Sequence, residues 1–596
     1  MTKKFYLLFI CLLTISICAN AQFGKLKGML GGKKDTAQKS QTDTTNKVEK
    51  EKPGGSFFSK AITKLAKASS GLVMSATGAL ITTADLSQVT PMVYSSVNMY
   101  PASVGTAEMG FYNGWKSGGN LTTLFFTQKA KMGVAKIDGT VTINGQPADY
   151  ASTGVYTTFS NNDGKPAVIS ITTKNGQKAN FTVPMSPATV KIKTINGQAG
   201  DNISADLTQD MVIEFEKLPG AENVPMRANI VITQIGIRGF FNVANFKGTD
   251  KLVIPAAAFR NINITPGGKA LFSFKNCYIS IDRVQPVKTT NVSGAFAPIE
   301  FSAVAQDGRY ITLTKEPVLN TGLTAKGEEK FSNGEVEYNF FKPNAFLSRP
   351  FAQIKNVGVM SFAVRGTTYV KGPSSSSSSS YSVGSTTYTT TTTTETWAQF
   401  PSVSQSVWDG LLDKLYAEFT ATGAQELGAS VVPVNNVTSS AAYQDLQPFT
   451  KDDETTSVSF FHSYQDTKML SAFIPIAEGF SSNSANVRLL KQSGTEALMK
   501  FTFDMQIAIE KGKPVMIPKL AFEMVGGKNG DTFDTKFCTA NIVGKGVRYP
   551  AGTITVADMQ NIIRDADLLA AFRKGLQEIK NKEKQNGDYE IVWALQ

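Results

Sequence analysis

Between residues 138 and 313, short runs of strand-forming residues alternate with two-residue turn signals, and this pattern constrains the fold more than any other feature. Asp138-Gly139-Thr140-Val141-Thr142-Ile143-Asn144-Gly145 places strand residues between two hairpin-type dipeptides. Residues 168–173 run into Asn175-Gly176, and residues 192–195 run into Asn196-Gly197. Residues 211–215, 229–232, 271–274 and 310–313 continue the series. Asn-Gly and Asp-Gly suit the tight turn whose two central residues need positive φ, so each signal predicts a hairpin between half-buried strands.

The chain has 596 residues, too many for one hydrophobic core. Repeated short strands with regular turns predict two β-sandwich domains, residues 88–190 and 191–338. Each resembles the immunoglobulin-like modules of bacterial surface and periplasmic proteins. The disulfide and packed tryptophan of true immunoglobulin domains are absent.

From residue 339 the pattern becomes that of an α/β domain with a mixed sheet. Asn356-Val357-Gly358-Val359-Met360-Ser361-Phe362 reads as a buried strand. An insert at 367–400 follows, containing the run Ser374 to Ser380 and the run Thr389 to Thr394. Val407, Leu411, Leu412, Leu415, Tyr416 and Phe419 define an amphipathic helix, with Ser404 or Ser406 to cap it and Gly423 to end it. Ser430-Val431-Val432-Pro433-Val434 reads as a strand and residues 439–446 as a short helix. A helix at 486–493 leads into a strand at 497–509, which a strand at 514–524 neighbours; residues 558–583 form the last helix. This element order, with Val431-Val432-Pro433-Val434 and Tyr443-Gln444-Asp445-Leu446, is similar to the periplasmic domain of the curli secretion-channel family and to the amino-terminal domain of the Tol translocation protein. That resemblance implies protein assembly and envelope scaffolding. The chain departs from the channel proteins, which are lipoproteins with amphipathic membrane hairpins. The predicted fold is thus multidomain: two β-sandwich (immunoglobulin-like) domains followed by an α/β domain with a mixed sheet.

The N-terminus predicts export. Lys3 and Lys4 precede an apolar run from Phe5 to Ile17 that is too short for a usual membrane span. Ala19-Asn20-Ala21 then favours cleavage before Gln22, giving a signal peptide at 1–21. Lipidation at Cys18 is the rival, disfavoured by Ile17 before it, and an uncleaved anchor is the third reading. Residues 22–55 read as a basic flexible linker and 56–87 as a helix. Residues 22–67 hold eleven lysines against four carboxylates, out of a whole-chain net charge of +12. A basic tail on a near-neutral body argues against a nucleic-acid reader. It suits a solvated tether, with contact to anionic head groups as the alternative.

The inventory for chemistry is short. His462 is the single histidine, and only Cys277 and Cys538 survive cleavage at Gln22, which excludes multi-histidine metal sites and ordinary zinc sites. A Ser-His-Asp triad would require His462, and no nucleophile-elbow motif accompanies it. The two thiols read as buried and free. Gly526-Gly527-Lys528-Asn529-Gly530 lacks the ending of a phosphate loop and reads as a turn. Asp452-Asp453-Glu454 and Asn529-Gly530-Asp531 with Asp534 read as solvated loops, since neighbouring carboxylates rarely converge on one ion without a shaped loop. The Ser/Thr insert reads as a flexible surface loop; read instead as a hairpin, it would join copies into a pore, but Thr389 to Thr394 lacks the alternating apolar residues of a lipid-facing strand.

No catalytic, cofactor-binding or metal residues are therefore assigned, and no cofactor is expected. The expected function is that of an exported, periplasmic or outer-membrane-associated envelope protein that binds or scaffolds other proteins without catalysis. An oligomeric secretion channel or pore subunit is one alternative, and a glycan-binding or glycan-active protein another. Expected partners are other envelope proteins or further copies of the chain, with peripheral membrane contact through residues 22–67 and no nucleic acid.

Overall fold

The Asn-Gly signals take up turns, but not every signal makes the hairpin expected: Asn196-Gly197 closes only the single bridge Ile195–Gln198, Ile192–Ile195 pairing instead with Met211–Phe215, and Asp138-Gly139 leads from one sheet into another. In the computed structural model, Asn144 and Gly145 have φ of 52° and 75°, and Asn196 and Gly197 have 49° and 75°. Asn144-Gly145 folds Gly139–Ile143 back onto Gln146–Pro147. Asn175-Gly176 joins Ala167–Thr173 to Lys178–Val183 in a continuous antiparallel register. The structure describes residues 80–97, 120–129 and 133–595, apart from several short stretches of which 449–457 and 471–484 are the longest. The signal, the linker and most of the 56–87 helix lie outside the described residues.

The chain is multidomain and rich in β-structure, with several sheets and some helices. It divides into two compact units, one made of the residues up to Leu319 together with Leu595, the other spanning Asn320–Ala594. In the first unit an eleven-stranded sheet, a five-stranded sheet and a three-stranded sheet assemble. Leu124, Phe126 and Ala303 of the largest sheet share one core with Ile169, Ile171 and Phe181 of the five-stranded sheet. Their alternation along each strand puts every second side chain into that core.

Three features of this unit differ from expectation. Residues 80–83 are not the end of a helix. Leu80–Thr83 is a strand paired in parallel with Val134–Ile137, and the 3-10 turn Leu86–Gln88 follows. The division into sandwiches at 190/191 also fails, because strands from both halves interleave. Thr290–Gly294 pairs with Lys178–Val183, and Glu300–Lys315 pairs with Val89–Val97. Finally, residues 271–274 form no strand. Asn263, at φ 59°, accepts the Phe272 amide and donates to the Phe272 carbonyl, both at 2.8 Å, so its side chain does the work of a strand neighbour. Phe272 and Phe274 are nevertheless buried.

The second unit starts earlier than residue 339. Leu323–Phe331 and Gly334–Lys342 form a hairpin, and the latter pairs with Phe533–Gly544. The boundary lies at 319/320 because that hairpin completes the eight-stranded sheet of the second unit. From this edge the order runs through Phe533–Gly544, Lys513–Lys528, Ala497–Glu510 and Asn356–Gly366 to Ser430–Val431. Asn356–Gly366 pairs in parallel with Ala497–Glu510 and with Ser430–Val431, and antiparallel with Phe460–Ser463. The other neighbours are antiparallel.

Helices pack against both faces. Leu411, Leu415 and Phe419 of the helix Gln405–Leu427, with Phe572 and Leu576 of Asp565–Asn586, share a core with Phe362, Phe501 and Phe522. On the opposite face Val437, Tyr443 and Leu490 cover Met360, Leu498 and Val525. Gly423 does not end the first of these helices. It lies inside it, where a methyl group would reach Met499 and Phe572 at ordinary contact distance, and Gly428 in the left-handed region ends it. The predicted helix at 558–583 is two helices, Val556–Ile563 and Asp565–Asn586, separated by Arg564 at φ 54°. Tertiary contact holds that break. The buried Arg564 side chain donates to the carbonyls of Gly334 and Glu335 and pairs with Asp567 at 2.8 Å.

Candidate functional site

Period-two geometry decides the surroundings of the single histidine. The strand Phe460–Ser463 and the residue after it put Phe460, His462 and Tyr464 on one side, where the helix Gln405–Leu427 presents Trp408 and Tyr416. His462 stacks on Trp408 with centroids 4.6 Å apart and planes at 16°, and Tyr464 stacks on Tyr416 at 3.9 Å and 11°. Burial pulls the imidazole below its ordinary range, against the pull of Asp409. Among the described residues no serine or carboxylate hydrogen-bonds to it. The imidazole is one rung of an aromatic stack.

The two thiols, Cys277 and Cys538, are free, buried and in different units. Burial pushes both up to about 12, so neither is a ready nucleophile. Gly526 and Gly527 lie within the strand Lys513–Lys528 rather than in a turn, and a methyl group on Gly526 would overlap the Phe537 ring. Asp452-Asp453-Glu454 and Asn529-Gly530-Asp531 lie outside the described residues. Asp534 sits in the strand Phe533–Gly544.

Two buried charged clusters were missed by sequence reading. In the first unit Asp282 accepts hydrogen bonds from Asn229 at 2.8 Å, from Gln306 at 2.9 Å and from the Ser280 hydroxyl. Burial raises its carboxyl above the usual range despite these donors. In the second unit Glu523 lies between Lys500 at 3.4 Å and Lys536 at 3.0 Å, while Arg365 pairs with Asp504 at 3.1 Å. Polar residues at alternating strand positions ordinarily mark a solvent face, so nothing local distinguished these from exposed charges. Each group here meets partners from its own sheet. Among the described residues no three His, Cys, Asp or Glu side chains gather to hold a metal ion.

The exposed feature with a built geometry is the insert, and it is not the flexible loop expected. Ser375–Val383 and Thr386–Thr394 pair antiparallel over nine residues. Serine and threonine runs have no apolar face, but threonine is β-branched and suits a pleated backbone. Ser376 to Ser380 and Thr389 to Thr393 are exposed. Ser378 and Thr391 share a hydroxyl–hydroxyl hydrogen bond of 3.2 Å across the ribbon. Among the described residues neither outer edge of this ribbon is paired.

The ribbon stands on a second, short pair of strands, Tyr369–Lys371 with Trp397–Gln399. Val370 and the buried Ala398, which pair with each other, face the main core. Gly372 keeps this base against the sheet, since a methyl group there would lie 2.8 Å from Ile509. The alternation therefore turns Tyr369, Lys371, Trp397 and Gln399 outward. Tyr369 is 55% exposed and Trp397 62%, with their rings 6.5 Å apart at 27°. Lys371 pairs with Glu395 at 2.8 Å beside them. A base packed on the core thus carries two large exposed aromatics at the foot of an uncharged two-stranded ribbon.

No described helix is long and apolar enough to cross a membrane. Compared with known proteins, the chain matches no family model and no curated protein.

Proposed function

We propose that this chain is an exported cell-envelope protein that binds or scaffolds other proteins through its surfaces and does not catalyse a reaction. The observation that carries the reading is the insert: an open-edged ribbon on a firmly packed base, with Tyr369 and Trp397 left exposed. Exposed large aromatics and unpaired strand edges are features that soluble proteins ordinarily suppress and that binding surfaces use. Export rests on Lys3 and Lys4, the apolar run to Ile17 and Ala19-Asn20-Ala21. The core that the eleven-stranded and five-stranded sheets share supports a sandwich-type reading of that part of the first unit. Helices on both faces of a sheet with parallel and antiparallel neighbours support an α/β reading of the second, of the assembly type that the curli and Tol resemblance implies.

Two measurements test this. Fractionation with mass spectrometry of the mature N-terminus should find a chain starting at Gln22 in the envelope; a cytoplasmic chain retaining Met1 would refute export. A photo-crosslinking residue at position 397, in intact cells, should yield discrete adducts with one or a few envelope proteins or with the chain itself. Absence of adducts, together with turnover of a substrate lost on Asp282→Asn, would replace the reading with an enzymatic one. A second reading, an oligomeric channel subunit, is favoured by the nine-residue pairing of the ribbon. It requires ring-shaped particles or conductance that depends on residues 367–400.

A further inference from the structure

The second unit contains two kinds of strand edge. Leu323–Phe331, at the margin of its main sheet, carries Lys326, Glu328, Glu329 and Lys330. Lys574 pairs with Glu329, and Lys582 donates to the Thr324 carbonyl at 2.6 Å. Charges and a covering helix are the devices that stop one sheet from adding to another. The ribbon 375–394 has none of them. From Gly372 to Thr394 there is no charged residue. A two-stranded hairpin alone in water is at best marginally stable, and a third strand is what relieves it. The ribbon has exposed hydroxyl side chains where a core would be, so the added strand has to come along an edge.

We infer that copies of this chain join hairpin to hairpin, the outer edge of 375–383 in one copy pairing with the outer edge of 386–394 in the next. This deepens the proposed binding role and rests on reading the insert as an assembly surface. In this arrangement the two strands run antiparallel while all hairpins point the same way, and each copy keeps one edge for the following one. A further copy is the occupant because both edges are of one chemistry. A ladder of serine against threonine repeats across the joint the pairing already present between Ser376–Ser380 and Thr389–Thr393 within the hairpin. A run of identical side chains offers no pattern by which to select a different strand. Both faces are hydroxyl-lined over these residues, so the joint forms in water and needs no lipid.

The test is disulfide trapping on the full mature chain. Ser378→Cys and Thr391→Cys are made as separate proteins and oxidised singly and mixed; Cys277 and Cys538 are buried and stay silent. The mixture should yield a crosslinked dimer containing one of each, while single proteins yield far less. The wild-type chain should sediment as a multimer, and Thr391→Lys should return it to monomer. Protection of Cys277 and Cys538 from a thiol reagent shows that each variant is folded. Crosslinks only between like variants, or a multimer that persists in Thr391→Lys, would overturn the head-to-tail joint. A wild-type monomer without crosslinks would overturn self-pairing altogether; if position 397 still yields adducts with a different envelope protein, the binding role survives and this inference does not.

Discussion

The sheet of the second unit and the ribbon that stands on it obey opposite rules of composition. In the sheet and the helices packed on it, buried positions are specified by their neighbours. Lys342 is fully buried, 3.0 Å from Glu583, 2.7 Å from the Ser348 hydroxyl and 3.9 Å from the centre of the Phe351 ring. Gly575 is required because a methyl group there would overlap the Phe340 ring. In the ribbon, serine follows serine and threonine follows threonine, and over the described side chains no position differs from the next. Specificity in this fold is stored where side chains are packed. Packing selects residues in the sheet, whereas the ribbon needs only a backbone that will extend and side chains that stay small and polar.

The largest effect should come from the buried pair. Lys342→Ala leaves Glu583 charged without its cation, and should cost about 3–5 kcal/mol in urea unfolding. The double change Lys342→Met with Glu583→Gln keeps an acceptor for the Phe351 amide and should recover most of that loss. A double variant as unstable as the single one would show that charge is not what the site requires. Next, Gly526→Ala should cost roughly 1–3 kcal/mol by forcing Phe537 aside, read from the same unfolding curves.

A smaller effect should appear at His462. Burial holds its pKa below the ordinary 6.5, so the unfolded chain takes up the proton at a higher pH than the folded chain. Its contribution to stability is therefore present above pH 6.5 and is lost as pH falls through the depressed folded value. As the only histidine in the sequence, it gives a single imidazole resonance to titrate. A measured value at or above 6.5 would show that burial does not control the group, and His462→Phe should flatten that part of the pH profile. Smallest of all, Ser377→Ala with Ser379→Ala in the ribbon should change stability by no more than about 0.5 kcal/mol. A larger loss would mean that those hydroxyls are as specified as the core, and would erase the contrast.

Much of the fold is legible locally. Met211–Phe215 and the helix Ala485–Ser493 lie where periodicity puts them, to within a residue, and the Asn144-Gly145 turn has the positive φ that its residues demand. The candidate site was less legible. Serine and threonine runs carry no periodicity, so the insert read as a loop, and only the register of Ser375–Val383 against Thr386–Thr394 reveals a ribbon. Tyr369 and Trp397 were ordinary aromatics until the alternation of Val370 and Ala398 into the core turned them outward.

What the amino-acid order determined by itself is the backbone preference of each short segment and the poverty of imidazoles and thiols, because both follow from residues within a few positions of one another or from simple presence. Tertiary structure alone decided which strands meet, such as Lys178–Val183 with Thr290–Gly294 and Asn356–Gly366 with Ala497–Glu510. It also decided that Asp282, Lys342 and Lys500 are interior rather than wet. The reason is that a strand's pattern states only that one face will be covered. Which partner covers it is settled by the free energy of contacts between residues far apart in the chain, and the same contacts settle where a charge ends up.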